Sequence, residues 1–120
     1  MSGLQHIALK SRDLKKTERF YTEVLGLEIA FRVSPKMIFL CSPRGNDLLN
    51  FIKSGEKTVS RQGLDHFGFK VSKARLKQVE KKLKEIGVEI EGHRGRSSTY
   101  FRDPNGYVLV EVYCDYSPLE

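Results

Sequence analysis

The chain has 120 residues, of which 39% are hydrophobic and 30% charged, and its formal net charge is +6. This size and balance suit a single domain with one hydrophobic core. No apolar run is long enough to cross a bilayer, and the N-terminus lacks a charged-then-apolar signal pattern, so we expect a cytoplasmic protein with no membrane contact. Neither a basic surface interleaved with aromatic residues nor a base-reading motif is present, which disfavours nucleic acid as a partner.

Much of the positive charge falls on residues 73–85, where apolar positions recur at helical spacing and charged residues fill the opposite face. A solvated helix face accounts for this charge, although an anionic small substrate is compatible with it. Cys41 and Cys114 lie far apart and show no metal-ligand spacing, so we expect no disulfide.

The chain contains an internal repeat. Three blocks recur in the same order, at an offset of 60 residues for the first block (Leu4 to Leu64) and 61 for the others (Leu25 to Ile86, Phe39 to Tyr100). The paired blocks are LQHIAL and LDHFGF, LGLEI and IGVEI, and FLCSPRG and YFRDPNG. The protein is therefore a tandem duplication of a unit of about 60 residues.

The first unit opens with a strand at Leu4–Leu9, followed by a helix at Asp13–Leu25 that ends at Gly26, a typical C-terminal glycine. Three further strands are predicted at Leu27–Val33, Met37–Cys41 and Asp47–Lys53, the last two joined by a turn containing Pro43 and Gly45. The polar, glycine-bearing segment Ser54–Gly63 is the predicted linker.

The second unit follows the same plan. A strand at Leu64–Val71 precedes Ser72, a suitable N-cap for a helix at Lys73–Ile86 that ends before Gly87. Strands are predicted at Val88–Glu91, Thr99–Arg102 and Tyr107–Tyr113. The expected fold is α+β: one domain, 1–120, of two βαβββ modules at about 3–53 and 64–114, joined by a linker at about 54–63.

Strand alternation places three polar side chains on the face that points away from the helices. Bulky apolar residues occupy every second position of both first strands and of the last strand, and should pack against the helices. His6, His66 and Glu111 fall at the intervening positions. A carboxylate in a strand as apolar as YVLVEVY is costly to bury without a positive partner.

Two imidazoles and one carboxylate supply three ligands to a divalent metal and leave positions open for substrate. The sequence therefore predicts a metal site at His6, His66 and Glu111. The competing structural interpretation is an ion pair between Glu111 and Arg44 or Arg102.

These residues lie in longer segments that resemble the vicinal oxygen chelate superfamily, which includes glyoxalase I, type I extradiol dioxygenases, fosfomycin-modifying thiol transferases and bleomycin-resistance proteins. The matching segments cover nearly the whole chain and read LQHIAL, FYTEVLGL, LDHFGFKV and YFRDPNGYVLVE. The resemblance implies a U-shaped, cupped mixed sheet with helices on its outer face, and one divalent ion (Fe, Mn, Ni or Zn) per site. It also implies a homodimer in which modules of two chains complete each site.

The repeat makes Asn50 the counterpart of Glu111, and Asn50 is a fourth candidate position at the metal. Glyoxalase I-like relatives usually place there a carboxylate that binds metal and abstracts a proton, and asparagine is a poor base. Isomerase chemistry would then need a substitute such as Glu23, Glu56 or Asp47.

The remaining two-His-one-carboxylate set is the ligand type of non-haem iron oxygenases. Tyr100 stands where extradiol enzymes keep a second-sphere tyrosine, but Asn46 and Asp47 stand where those enzymes keep a histidine. Thiol transferases carry a threonine where this chain has Ala8, and their potassium-binding loop resembles Gly95–Ser98 poorly.

Ring-cleaving dioxygenase chemistry on a substrate chelated through two neighbouring oxygens is slightly favoured, with lyase, isomerase or thiol-transferase reactions as alternatives. A non-catalytic, ligand-sequestering protein is the alternative from another functional class. His93 is a candidate acid or base in a glycine-rich loop, and Arg94 and Arg96 are candidates to bind a substrate anion.

Overall fold

The computed structural model describes residues 1–55, 63–106 and 109–115. The chain divides into two compact units, Met1–Val59 and Ser60–Glu120. Each unit contains one helix and one four-stranded mixed sheet in the order strand, helix, strand, strand, strand. The predicted repetition of a βαβββ module is confirmed.

Unit one comprises β1 (His6–Ser11), α1 (Leu14–Glu23), β2 (Glu28–Ser34), β3 (Met37–Cys41) and β4 (Leu48–Lys53). Its sheet order is β1-β4-β3-β2, with β1 parallel to β4 and the other pairs antiparallel. The Asp13 carboxylate caps α1 by accepting from the backbone N–H of Lys16 at 3.0 Å. At the other end Gly26 has φ +73°, a left-handed conformation that ends the helix.

One face of the unit-one sheet packs against α1. The rings of Tyr21 and Phe51 lie 5.0 Å apart, and both residues are fully buried. Ser11 and Thr17, also buried, satisfy each other through a 2.8 Å hydroxyl–hydroxyl hydrogen bond. This packing leaves the opposite face of the sheet for the polar residues.

Unit two comprises β5 (His66–Lys70), α2 (Lys73–Glu85), β6 (Ile90–His93), β7 (Ser98–Arg102) and β8 (Leu109–Tyr113), with sheet order β5-β8-β7-β6. Ser72 caps α2 by accepting from the backbone N–H of Arg75 at 3.1 Å. The core consists of alternate strand residues packed with the apolar stripe of α2: Leu76, Val79, Leu83, Phe101, Val110 and Val112.

The boundaries differ from prediction mainly at β6, which begins at Ile90 and not at Val88. The N–H of Val88 bonds to the carbonyl of Leu83 at 2.9 Å, so Val88 still belongs to the helix ending and cannot pair in the sheet. β6 extends to His93, which therefore lies at the end of a strand and not in a loop; this corrects the sequence prediction.

Both first strands begin two residues later than predicted, at the histidines themselves. Tyr107, Val108 and most of the predicted linker, including Glu56, lie outside the described residues. Within the described ranges, neither helix is long and apolar enough to span a membrane.

Candidate metal centre

Strand register brings the polar residues of unit two onto one face. Gly68 and Tyr100 are the two cross-strand partners of Glu111, and His66 pairs with Leu109. The alternate residues of β8, Val110 and Val112, are fully buried in the core with α2. Glu111 therefore points away from the helix, at only 2% exposure.

His66 lies between two carboxylates. Its Nδ1 is 2.6 Å from Oδ1 of Asp65, and its Nε2 is 3.6 Å from Oε1 of Glu111. A proton held on Nδ1 by Asp65 leaves the Nε2 lone pair available, which is the usual arrangement of a histidine that binds metal. Two ligands about 2.1 Å from one tetrahedral ion lie about 3.4 Å apart, so the His66–Glu111 spacing fits a shared ion.

Arg94 contacts the other oxygen of the same carboxylate. Its Nη2 lies 3.3 Å from Oε2 of Glu111 and donates to the backbone carbonyl of Asp115 at 2.8 Å. Burial lowers the pKa of the Arg94 guanidinium, but hydrogen bonds and charge interactions with Glu111 and Tyr100 raise it by more, so the pKa lies above its ordinary value.

The structure thus provides the positive partner that a buried Glu111 requires, from a residue that the ion-pair hypothesis did not name. Of the two arginines it named, Arg102 pairs with Glu91 at 3.0 Å, and Arg44 belongs to unit one. Arg94 was missed in this role because a turn of irregular backbone, not strand alternation, directs its side chain to Glu111.

Tyr100 completes the group around Glu111. Its ring meets the His66 ring edge-on at 5.4 Å between centroids. Burial raises the pKa of the Tyr100 hydroxyl, and the charge of Glu111 and a hydrogen bond to it raise it further; hydrogen bonds from Arg94 and Ser98 only partly offset this. The phenol therefore stays protonated at neutral pH and donates to the Glu111 carboxylate.

His93 does not join this group. Its register partner is Thr99, on the helix side of the sheet, and its Nδ1 lies 3.2 Å from the carbonyl of Ser98, 3.3 Å from the Thr99 hydroxyl and 3.8 Å from the Glu80 carboxylate. Arg96 is exposed in the turn between β6 and β7.

Unit one carries the equivalent positions with different chemistry. Asn50 pairs with Ala8 and Phe39, as Glu111 pairs with Gly68 and Tyr100, so the register supports the assignment of Asn50 as counterpart of Glu111. His6 is exposed at the start of β1.

Of the alternative bases considered, Asp47 accepts from the backbone N–H and hydroxyl of Ser42, each at 2.7 Å, so it serves the β3–β4 turn. Glu23 is exposed at the end of α1. Across the described residues, no three His, Cys, Asp or Glu side chains are grouped as a metal site. The local arrangement consists of two donors, His66 and Glu111, supported by Asp65, Arg94 and Tyr100.

The sequence matches the Glyoxalase/Bleomycin resistance protein/Dioxygenase superfamily model over residues 3–110. The chain belongs to this superfamily. It is 30% identical to the fosfomycin resistance protein FosX of Listeria monocytogenes serovar 1/2a, over 91% of this chain and 87% of FosX.

Among solved structures, the integron cassette protein HFX_CASS4 from the Halifax Harbour sewage-outfall metagenome is 29% identical, with a TM-score of 0.76 over 96% of this chain and all of that one. A FosX variant from L. monocytogenes, complexed with Mn(II) and 1S,2S-dihydroxypropylphosphonic acid, shares the fold at a TM-score of 0.77 and 22% identity, over 97% and 94% of the two chains.

Proposed function

We propose that the protein is a divalent-metal-dependent enzyme whose ion is held by His66 and Glu111 of unit two and His6 of unit one. The observation that carries this proposal is the 3.6 Å approach of His66 Nε2 to a buried carboxylate, with Asp65 holding the other ring nitrogen. A purely structural Glu111–Arg94 pair would leave this orientation of His66 without a role.

We further propose that the substrate is a small anionic molecule with two neighbouring oxygens, one of them in an epoxide ring, and that the reaction opens this ring. Water or a thiol forms a bond to one ring carbon as the C–O bond of that carbon breaks, and the released oxygen takes up the proton that the nucleophile loses. A bound divalent ion supplies Lewis-acid polarisation of a substrate oxygen. When Glu111 serves as a ligand, the Arg94 guanidinium can direct donors to the substrate's anionic group. The neutral Tyr100 phenol can donate a hydrogen bond to an oxygen that gains negative charge as its C–O bond breaks.

The similarity to FosX supports this choice of reaction over ring cleavage. The molecule named with Mn(II) in the FosX variant structure carries two adjacent hydroxyl groups, as addition of water to an epoxide would leave, and a phosphonate. An ion held by His66 and Glu111 would bind the former, and Arg94 would bind the latter. Asn50, at the position where isomerase-type relatives keep a base, makes proton abstraction from carbon the weaker expectation.

Metal analysis of protein purified without chelators tests the site. We expect about one divalent ion per chain in the wild type, loss of the ion in His66→Ala and Glu111→Gln, and retention in the control His93→Ala, because His93 lies on the other face of the sheet. Equal metal content in all four proteins would refute the ligand assignment.

Incubation with fosfomycin, followed by ³¹P NMR with water alone and with added glutathione or cysteine, tests the reaction. We expect a metal-dependent new phosphonate signal that is absent with Glu111→Gln. A metal-loaded protein that changes no oxygen-bearing substrate would favour the ligand-sequestering alternative.

A mixing experiment tests the proposed homodimer. If His6 of one copy and Glu111 of another share an ion, a mixture of His6→Ala and Glu111→Gln chains regains about a quarter of the wild-type sites, since half of the dimers are mixed and each has one intact site. If the ligands come from one chain, the mixture regains none.

Ring-cleaving dioxygenase activity is the second candidate, because the two-His-one-carboxylate ligand type suits iron and Tyr100 lies beside His66. Oxygen uptake by the Fe(II)-loaded protein in the presence of catechol tests it. Catechol-dependent uptake that disappears in His66→Ala would favour this reaction over epoxide opening.

A further inference from the structure

The sheet face of unit one that points away from α1 carries an aromatic pair, of which Phe31 is exposed and Phe39 is half-buried. Phe31 on the edge strand β2 and Phe39 on β3 are register partners, and their rings stack at 4.5 Å with 24° between planes. Phe31 is 47% exposed. Exposed phenyl surface is costly in water, so a ligand that covers the exposed part of this pair gains binding energy.

Next to this pair lies a buried polar group without a partner. Asn50 pairs directly with Phe39 across the sheet and is 6% exposed. Its Oδ1 atom is buried and accepts no hydrogen bond from any residue that the structure describes. Leaving such an acceptor unsatisfied costs about 1–3 kcal/mol. An unsatisfied acceptor is therefore retained more readily at a position where a ligand supplies the missing donor.

We infer that Asn50 and the Phe31–Phe39 pair form a recognition subsite for a flat apolar or aromatic group that carries an O–H or N–H donor. Asn50 is then a specificity-determining residue and not a metal ligand. The inference rests on the proposed function, because the bound group is identified as part of the substrate of that enzyme. His6, the proposed ligand from unit one, lies on the same sheet face, two residues before the Ala8 that pairs with Asn50.

The dimensions of the face suit a single ring. Neighbouring strands are about 4.8 Å apart, so a ring stacked over Phe39 places a hydroxyl substituent within reach of β4. The torsion about the Cβ–Cγ bond of asparagine is soft, which allows the Asn50 amide to turn its oxygen toward that substituent. Phe31, one strand further out, stacks on the far side of Phe39 and holds that ring in position.

Binding of phenol and toluene to chelator-treated full-length protein, followed by ¹H–¹⁵N NMR, tests the inference without metal. The two probes have nearly the same shape and differ in a hydroxyl or methyl group. Toluene is the more apolar and should bind more tightly to a purely hydrophobic surface. We expect the wild type to prefer phenol by about fivefold, within the range that one hydrogen bond contributes.

Two variants separate the parts of the subsite. Asn50→Leu should reverse the preference in favour of toluene, and Phe31→Ala, at an exposed position where folding should be unaffected, should weaken both probes equally. A wild type that binds neither probe or prefers toluene, an Asn50→Leu protein that still prefers phenol, or a Phe31→Ala protein with unchanged affinities would each overturn the inference.

His66→Ala serves as the control, since it should abolish metal binding and leave the probe preference intact. Loss of the proposed metal function therefore gives a result different from loss of the subsite. A wild type that prefers phenol but holds no metal when purified without chelators would refute the former and support the latter.

Discussion

The contact between Asp65 and His66 gives a prediction that separates metal binding from folding. Asp65 Oδ1 lies 2.6 Å from Nδ1 of His66, and the Asp65 side chain is 78% exposed. A carboxylate in this position fixes the ring orientation and increases the basicity of the ligating nitrogen. Because the carboxylate is largely in water, its removal should change the free energy of unfolding by less than about 0.5 kcal/mol.

Asp65→Ala should therefore weaken metal binding without weakening the fold. Loss of a supporting partner of this kind typically lowers affinity about 10- to 100-fold, or about 1.4–2.7 kcal/mol. Asp65→Asn keeps an oxygen that can accept from Nδ1–H but removes the charge, so we expect an intermediate loss. Titration calorimetry with Mn(II) or Zn(II) measures the affinity, and urea denaturation of the metal-free proteins measures stability.

The duplication provides a matched control, because Gln5 precedes His6 as Asp65 precedes His66. Gln5→Ala should leave metal affinity within about twofold of wild type, since no carboxylate is lost. If Asp65→Ala also binds metal as tightly as wild type while His66→Ala does not bind, then Asp65 does not orient the ligand. If Asp65→Ala unfolds at lower urea, its effect on metal cannot be assigned to orientation.

Three further changes test the surroundings of the two equivalent positions. In metal-free protein, Asn50→Leu should raise the free energy of unfolding by about 1–3 kcal/mol in urea denaturation, because it removes a buried acceptor without a described partner; destabilisation would contradict this. Arg94→Met should raise Mn(II) affinity about tenfold by removing a cation that competes for Glu111, and unchanged affinity would show that the pair does not compete with metal. The raised pKa of Tyr100 means that the folded protein holds this proton more strongly than the unfolded chain; its contribution to stability is complete below about pH 10 and is lost as the pH rises through the folded pKa. Absorbance at 295 nm in metal-free protein should show a late-titrating phase that is smaller by one tyrosine in Tyr100→Phe, and an unchanged late phase in the variant would assign it elsewhere.

The fold could be predicted because the repeat and the strand alternation are both encoded locally. Gly26 and Gly87 each follow a helix, and both adopt the positive φ that such helix endings require. The burial of Glu111 also follows from alternation, since its neighbours Val110 and Val112 must face α2. The predicted start of β6 was wrong because Val88, a residue type that favours strands, bonds through its N–H to the carbonyl of Leu83 at the end of α2.

The partners of Glu111 and His66 could not be read from the same rules. Arg94 follows the last residue of β6, where the side-chain period of a strand no longer applies, and the turn through Gly95 at φ +60° sets its direction. Asp65 lies just before the first paired residue of β5, so strand alternation does not predict the contact between its carboxylate and the His66 ring. Both contacts depend on irregular backbone at a strand end.

The two copies of the module have diverged at three register positions that act together. Glu111 in unit two lies between Gly68 and Tyr100, whereas Asn50 in unit one lies between Ala8 and Phe39. A Cβ added at Gly68 would lie 3.4 Å from Oε1 of Glu111 and 3.1 Å from Cε1 of Tyr113.

The glycine thus keeps open the space beside the carboxylate oxygen that approaches His66, and the tyrosine supplies a hydroxyl that the carboxylate can accept from. Asn50 carries an uncharged amide, so unit one needs neither the open space nor the hydroxyl. It has the methyl group of Ala8 and the phenyl ring of Phe39 at the equivalent positions. Gly68 and Tyr100 therefore both accommodate the charge of Glu111. Unit one has no charge at the equivalent position, which suits the recognition of an apolar ligand that we infer for it.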